Sequence, residues 1–482
     1  MENFWDFSVW GWLLLIGVLL SSLLLANVLK RRIPFLKNSL VPTSVLGGLI
    51  LLVISEVVRV ITGTPLFDMP VFGGEGMRSL EIITYHALAL GFIASSLKTS
   101  DKKMNGQRAK EVFNTGVTTV STYLLQAVVG FGITLLIALF VTDFFGVAGV
   151  LLPFGYGQGT GQALNYGTYY ETEYGFSGGA SFGLAVAAMG FLSASLGGVF
   201  HLNMLKRKKK ISRAVCFDEK ISPDEVQKSG EIPMNGSMDK LTVQVAFVLL
   251  AYGLAFGVMY LLGLLLPGMK ATIYGFNFLI GVLTATLVKA VLKFLNKKQV
   301  VKRVYTNNFL LTRVSNFFFD LMVVAGIAAI RLDVIKQYWW ILLILGVVGL
   351  VITYVYNLWV ARTLFKKYSE EQFLMMYGML TGTASTGIIL LRELDPDFKT
   401  PVADNLIYQN FPAIVFGFPM MLLANLAPEQ PILTFGILVV FFIAMNIVLF
   451  RRQIFCRKKD RALQAVETVE TQETVEAETK DE

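Results

Sequence analysis

Two short stretches hold most of the groups with which this sequence could do chemistry. Tyr156 to Ala163 reads YGQGTGQA, and Tyr377 to Ala384 reads YGMLTGTA, identical at five of eight positions. The first offers Gly157, Gln158, Gly159, Thr160 and Gly161, with Asn165 just beyond. The second offers Thr381, Gly382, Thr383, Ser385 and Thr386. None of these is acidic or basic, so the chemistry they suit is non-covalent capture. Glycine lets a ligand approach the backbone closely. The free N–H groups at a helix start attract anions, and exposed carbonyl oxygens suit a cation such as Na+. Asp320, in RVSNFFFD, is an ionisable residue well inside an apolar run, with Asn316 one turn earlier on the same face. It is a candidate cation or proton ligand, or one side of a helix–helix hydrogen bond.

Other chemistries are excluded. No Ser/His, paired-Asp or metal-ligand constellation is visible, so no enzyme and no cofactor is expected. Two histidines are too few for a histidine-built zinc or haem site. GYGQGTG lacks the strand–turn–helix setting and the lysine of a phosphate-binding loop. Cys216 and Cys456 fall in basic segments and imply no disulfide framework.

The elements that must position these stretches are membrane helices. The chain has 482 residues, 54% hydrophobic and only 16% charged, against about 25% charged in soluble domains. Its mean hydropathy is +0.61. Runs of about 20 apolar residues cross hydrocarbon. Such runs predict full spans at 9–29, 44–62, 82–97, 112–141 and 179–204, then 241–266, 273–295, 309–330, 338–360, 404–427 and 431–450. Val9 to Ala26 followed by Lys30, Arg31 and Arg32 is an anchor with a basic stop, not a cleaved leader. Two broken apolar segments remain, 147–168 and 372–391, and they contain the two glycine-rich stretches.

Basic loops resist translocation, so Lys and Arg set the orientation. If each broken segment enters and leaves on one side, 34 of the 42 Lys and Arg fall on one side of the membrane, and Arg59, Arg78, Lys270, Arg331 and Lys336 on the other. The rich side is cytoplasmic, the N-terminus outside and the C-terminus inside. This sorting accounts for the net charge of +8 without nucleic acid. It also makes the broken segments re-entrant hairpins, one from each face.

Each hairpin follows four spans and precedes one more, and the two halves start on opposite sides. The expected fold is therefore all-α, with two inverted-topology repeats of five transmembrane helices, each carrying a re-entrant hairpin. The first repeat covers 1–204 and the second 241–427, joined by a polar cytoplasmic linker at 205–240. An extra C-terminal helix occupies 428–455. The acidic, low-complexity tail 456–482 is expected to be disordered. The basic run Lys206 to Lys210 is a topology signal that could also meet anionic lipid.

VPTSVLGG (Val41 to Gly48), GQGTGQA (Gly157 to Ala163) and EYGF (Glu173 to Phe176) resemble motifs of the bacterial sodium/glutamate symporter family. The match is divergent. The family's hairpin histidine is Gln158 here, its second proline of the helix-two motif is Ser44, and its second hairpin reads TGTASTGI. The resemblance implies a homodimer in the bacterial cytoplasmic membrane that takes up L-glutamate with Na+. It assigns Gly157, Gly159, Thr160 and Gly161 to one tip, and Gly382 and Thr386 to the other. A Na+- or H+-coupled carrier of another small carboxylate or amino acid is the alternative, and a passive channel a more distant one.

Overall fold

Lipid offers the backbone no hydrogen-bond partners, so apolar runs must satisfy their own groups as helices. The computed structural model describes residues 3–99, 106–207, 231–234, 238–267, 270–395 and 399–455. The first half builds α1 (Phe7–Arg32), α2 (Pro34–Asn38), α3 (Thr43–Thr62), α4 (Gly76–Leu97), α5 (Gly106–Ala138), α6 (Leu151–Gln158), α7 (Thr160–Tyr174) and α8 (Gly179–Arg207). The second builds α9 (Lys240–Leu265), α10 (Lys270–Gly275), α11 (Asn277–Lys297), α12 (Asn308–Ala328), α13 (Leu332–Ile335), α14 (Trp339–Leu364), α15 (Ser369–Thr381) and α16 (Ala384–Arg392). The chain closes with α17 (Val402–Tyr408), α18 (Asn410–Leu426), α19 (Pro431–Leu449) and α20 (Arg451–Phe455). The described residues are all-α, and among them are ten helices long and apolar enough to cross a membrane.

Helix ends follow local chemistry. α3 stops at Gly63, whose left-handed φ of 79° lets its N–H close on the Arg59 carbonyl at 2.8 Å. Asp239 caps α9 by accepting from the Thr242 N–H, and Asn307 caps α12 by accepting from that of Leu310. One expected span differs. Residues 404–427 do not form a continuous helix but split into α17 and α18. Pro412 and Pro419 each remove a backbone donor from this stretch. At the break the Gln409 amide oxygen accepts from the buried Thr119 hydroxyl at 2.8 Å.

Packing sorts the long helices into two groups, and each group draws on both halves of the sequence. α1, α3, α4, α9, α11 and α12 pack among themselves, while α5 to α8 and α14 to α19 form the other group. In the first group α4 lies along α12, where the Ser315 hydroxyl donates to the Gly91 carbonyl at 2.9 Å. In the second, α5 meets α14, where the Gln126 amide donates to Thr353 Oγ1 at 2.9 Å. The groups touch mainly where α7 rests on α4 and α12. They touch again where the connector carrying α13 rests on α8. Outward faces stay apolar, as with the exposed Val347, Val351 and Val355 of α14, which suits contact with lipid.

Where the linker returns, Glu231 accepts from Lys240 at 2.8 Å and from Asn307 at 2.7 Å, which ties it to α9 and α12. Linker residues 208–230 and 235–237 and the tail 456–482, with both cysteines, lie outside the described residues.

Candidate functional site

Both glycine-rich segments are helices that break and fold back. α6 ends at Gln158, and Gly159 then takes φ 81° and ψ −172° before α7 begins at Thr160. The Phe154 ring stacks on Tyr166 with centroids 3.9 Å apart, so α6 and α7 lie against each other. α15 ends at Thr381, and the chain turns through Gly382 into α16, which Thr383 caps. A Cβ placed on Gly378 would lie 2.9 Å from the Gly387 Cα, so α15 and α16 touch backbone to backbone.

The two breaks meet. A Cβ on Gly159 would lie 3.7 Å from Thr383 Cγ2, 3.8 Å from the Gly382 carbonyl oxygen and 3.9 Å from Met322 Cε. Behind them runs α8, where a Cβ on Gly190 would come within 2.6 Å of the Thr381 oxygen and 3.2 Å of the Tyr156 Cα. Gly157, Gln158, Gly159, Thr160 and Gly161 therefore share one junction with Thr381, Gly382, Thr383, Ser385 and Thr386. Two helix starts, of α7 and α16, and two carbonyl ends, of α6 and α15, converge there. Starts present free N–H groups and positive dipole ends, and carbonyl ends the reverse. The junction residues include no Lys, Arg, Asp or Glu.

The tips are held differently. The first is sealed onto the other helix group. Thr160 is fully buried, its Oγ1 donates to the Met322 carbonyl at 3.4 Å, and a Cβ on Gly326 would lie 2.8 Å from Thr160 Cβ. Gly161 sits against Leu88 of α4, where a Cβ would meet Leu88 Cδ1 at 2.8 Å. At the second tip Thr386 is buried, but Ala384 and Ser385 are exposed.

Helix α5 stitches both carbonyl ends. The Tyr123 hydroxyl donates to the Gly157 carbonyl at 3.0 Å, and Gln126 Nε2 donates to that of Leu380 at 2.9 Å. Residues three apart share a helix face, so one face of α5 reaches both tips. Sequence reasoning missed Tyr123, Gln126, Met322 and Gly190. A signal existed for α5: Thr115, Thr119, Thr122 and Gln126 recur at helical spacing inside an apolar run, and all are buried.

Three expected residues lie apart from the junction. Met322 faces the first tip, and Asp320, two residues earlier, points about 200° away around the helix. Asp320 lies beside Ser44 at the start of α3. Asn316 is exposed on that same side of α12. Asn165 donates to the Gly275 carbonyl at 3.2 Å, toward α10. Among the described residues no three His, Cys, Asp or Glu side chains group as a metal site.

A charged region lies across the boundary between the helix groups, beside the α13 connector. Arg59 pairs with Glu56 at 2.6 Å and reaches Asp333 at 4.0 Å. Glu81 pairs with Arg78 at 2.7 Å and with Arg331 at 3.8 Å. The same connector is fixed to α8, because Ser181 Oγ accepts from the Arg331 N–H at 3.1 Å. The Arg59–Asp333 and Arg331–Glu81 contacts link α3 and α4 to a connector seated on the other group. No protein-family model matches this chain, and no curated protein is found similar to it.

Proposed function

We propose that this protein is a secondary active transporter of the bacterial cytoplasmic membrane, carrying L-glutamate inward with Na+. The observation that carries the reading is the meeting of two broken helices at Gly159 and Gly382. Paired helix starts at one point favour the carboxylates of an anionic substrate, and the adjacent carbonyl ends favour Na+. With no Lys or Arg at the junction, helix dipoles and hydroxyls hold the anion. Na+ then does more than drive transport, because it offsets the substrate's charge in the site.

The same packing supports inverted repeats with a re-entrant hairpin in each. Helices of matching rank meet their counterparts, α4 with α12, α5 with α14, and the α6–α7 pair with α15–α16. A two-fold relation in the membrane plane would bring such counterparts together. On the loop-charge orientation, the sealed first tip enters from outside and the more exposed second tip from the cytoplasm. That asymmetry fits a form closed to the outside, in which the Arg59–Asp333 and Arg331–Glu81 contacts help hold the outer side shut.

Equilibrium binding of labelled L-glutamate to the purified protein tests the site. Binding is expected in NaCl and lost in choline chloride, and weakened in Gly159→Ala. Binding indifferent to Na+ contradicts the reading.

A further inference from the structure

We infer that Gln162 contacts the transported solute directly and selects for a solute bearing both a carboxylate and an ammonium group. This rests on the carrier reading above. Gln162 is the third residue of α7 and only 1% exposed, yet neither its Nε2 nor its Oε1 has a hydrogen-bond partner among the described residues. A buried amide with both ends unpaired is costly and rare in folded proteins.

Helical Cβ atoms tilt toward the helix start, and side chains cover the turn before their own Cα. From the third position this brings the amide over the break at Gly159, where the two tips meet. Side chains at this position commonly fold back to the capping residue's N–H; this one makes no such bond. The other tip has a similar orphan, because Gln126 Oε1 is buried and unpartnered while its Nε2 holds the Leu380 carbonyl. An amide offers a donor and an acceptor together. An α-amino acid answers both, through its carboxylate and its ammonium, whereas a plain dicarboxylate answers only the donor.

The test compares L-glutamate with glutarate, which lacks the ammonium, as competitors of Na+-driven glutamate uptake in proteoliposomes. Gln162→Met keeps the shape and removes both polar ends. We expect its glutamate KM to rise tenfold or more and its preference for glutamate over glutarate to shrink by a similar factor. Its Tm without substrate should be unchanged or higher, since an unpaired polar group has been replaced by an apolar one. Gln162→Glu, which keeps the acceptor and loses the donor, should also raise KM at least tenfold. A lowered Tm in Gln162→Met with unchanged KM and selectivity makes Gln162 structural and overturns the inference alone. Wild-type protein without Na+-driven glutamate uptake overturns the carrier reading itself.

Discussion

Gly159→Ala separates backbone geometry from space at the first tip. The backbone at Gly159 (φ 81°, ψ −172°) lies in a region that only glycine occupies readily, and a residue with a Cβ held there costs about 1–3 kcal/mol. Space is not the obstacle. The added Cβ would meet its neighbours at 3.7, 3.8 and 3.9 Å, ordinary contact distances. At 1.4 kcal/mol per tenfold, the strain corresponds to a loss of about 5- to 150-fold in any step that needs this geometry. The assay is kcat/KM for Na+-driven uptake in proteoliposomes, measured beside the Tm of the purified protein. Gly161→Ala is the counterpart. There the Cβ would crowd Leu88 Cδ1 at 2.8 Å and Leu88 Cβ at 2.9 Å, so Leu88→Gly, which removes both atoms, should restore activity to Gly161→Ala and leave Gly159→Ala impaired. Uptake by Gly159→Ala within about twofold of wild type, beyond which a change reports lost transition-state or ground-state binding, would refute the claim that the break must hold this backbone.

Three further substitutions probe the neighbours. Thr160→Val removes the hydroxyl that reaches the Met322 carbonyl at 3.4 Å. It should weaken transport by about 0.5–1.5 kcal/mol, the net worth of one hydrogen bond, with membrane insertion unchanged; normal kinetics would remove that hydroxyl from the site. Gln126→Leu removes both donors to Thr353 and the Leu380 carbonyl. Leaving buried acceptors unsatisfied costs about 1–3 kcal/mol, so Tm and uptake should fall together, and an unchanged Tm would show that α5 does not hold the second tip. Arg331→Ala combined with Arg59→Ala removes the contacts to Glu81 and Asp333 at 3.8 and 4.0 Å. Exposed ion pairs contribute about 0–1 kcal/mol each. Labelling of Ser181→Cys by an impermeant thiol reagent from outside should therefore rise only a few-fold, and no rise would remove these pairs from outer closure.

Much of the architecture was legible because lipid constrains composition so strongly. Charge-poor runs marked the ten long helices, and two runs interrupted by glycine and hydroxyl residues marked the breaks. The roles of individual glycines were not legible. Of Gly155, Gly157, Gly159 and Gly161, only Gly159 has a positive φ; Gly157 and Gly161 instead let Tyr123 and Leu88 approach. Composition does not record a dihedral angle, so a hinge and a packing glycine read alike. Gln158 and Gln162 stand in the same motif, and only burial separates the half-buried first from the fully buried second. Asp320 read as a site residue because it is ionisable at membrane depth, but helix rotation turns it toward Ser44. The split of 404–427 at Gln409 had a signal in the polar residues Asp404, Asn405, Gln409 and Asn410, which the long apolar run that follows outweighed. The two packing groups cut across the two sequence halves, since long-range contact rather than chain order decides which helices share a core.

The most direct test of the central claim is uptake of labelled L-glutamate by proteoliposomes under an imposed inward Na+ gradient, with the voltage clamped by a K+ ionophore. The account predicts accumulation above the external concentration, collapsing when a Na+ ionophore is added. Entry that only equilibrates, at the same rate with or without the Na+ gradient, would contradict it and leave a passive pathway in its place.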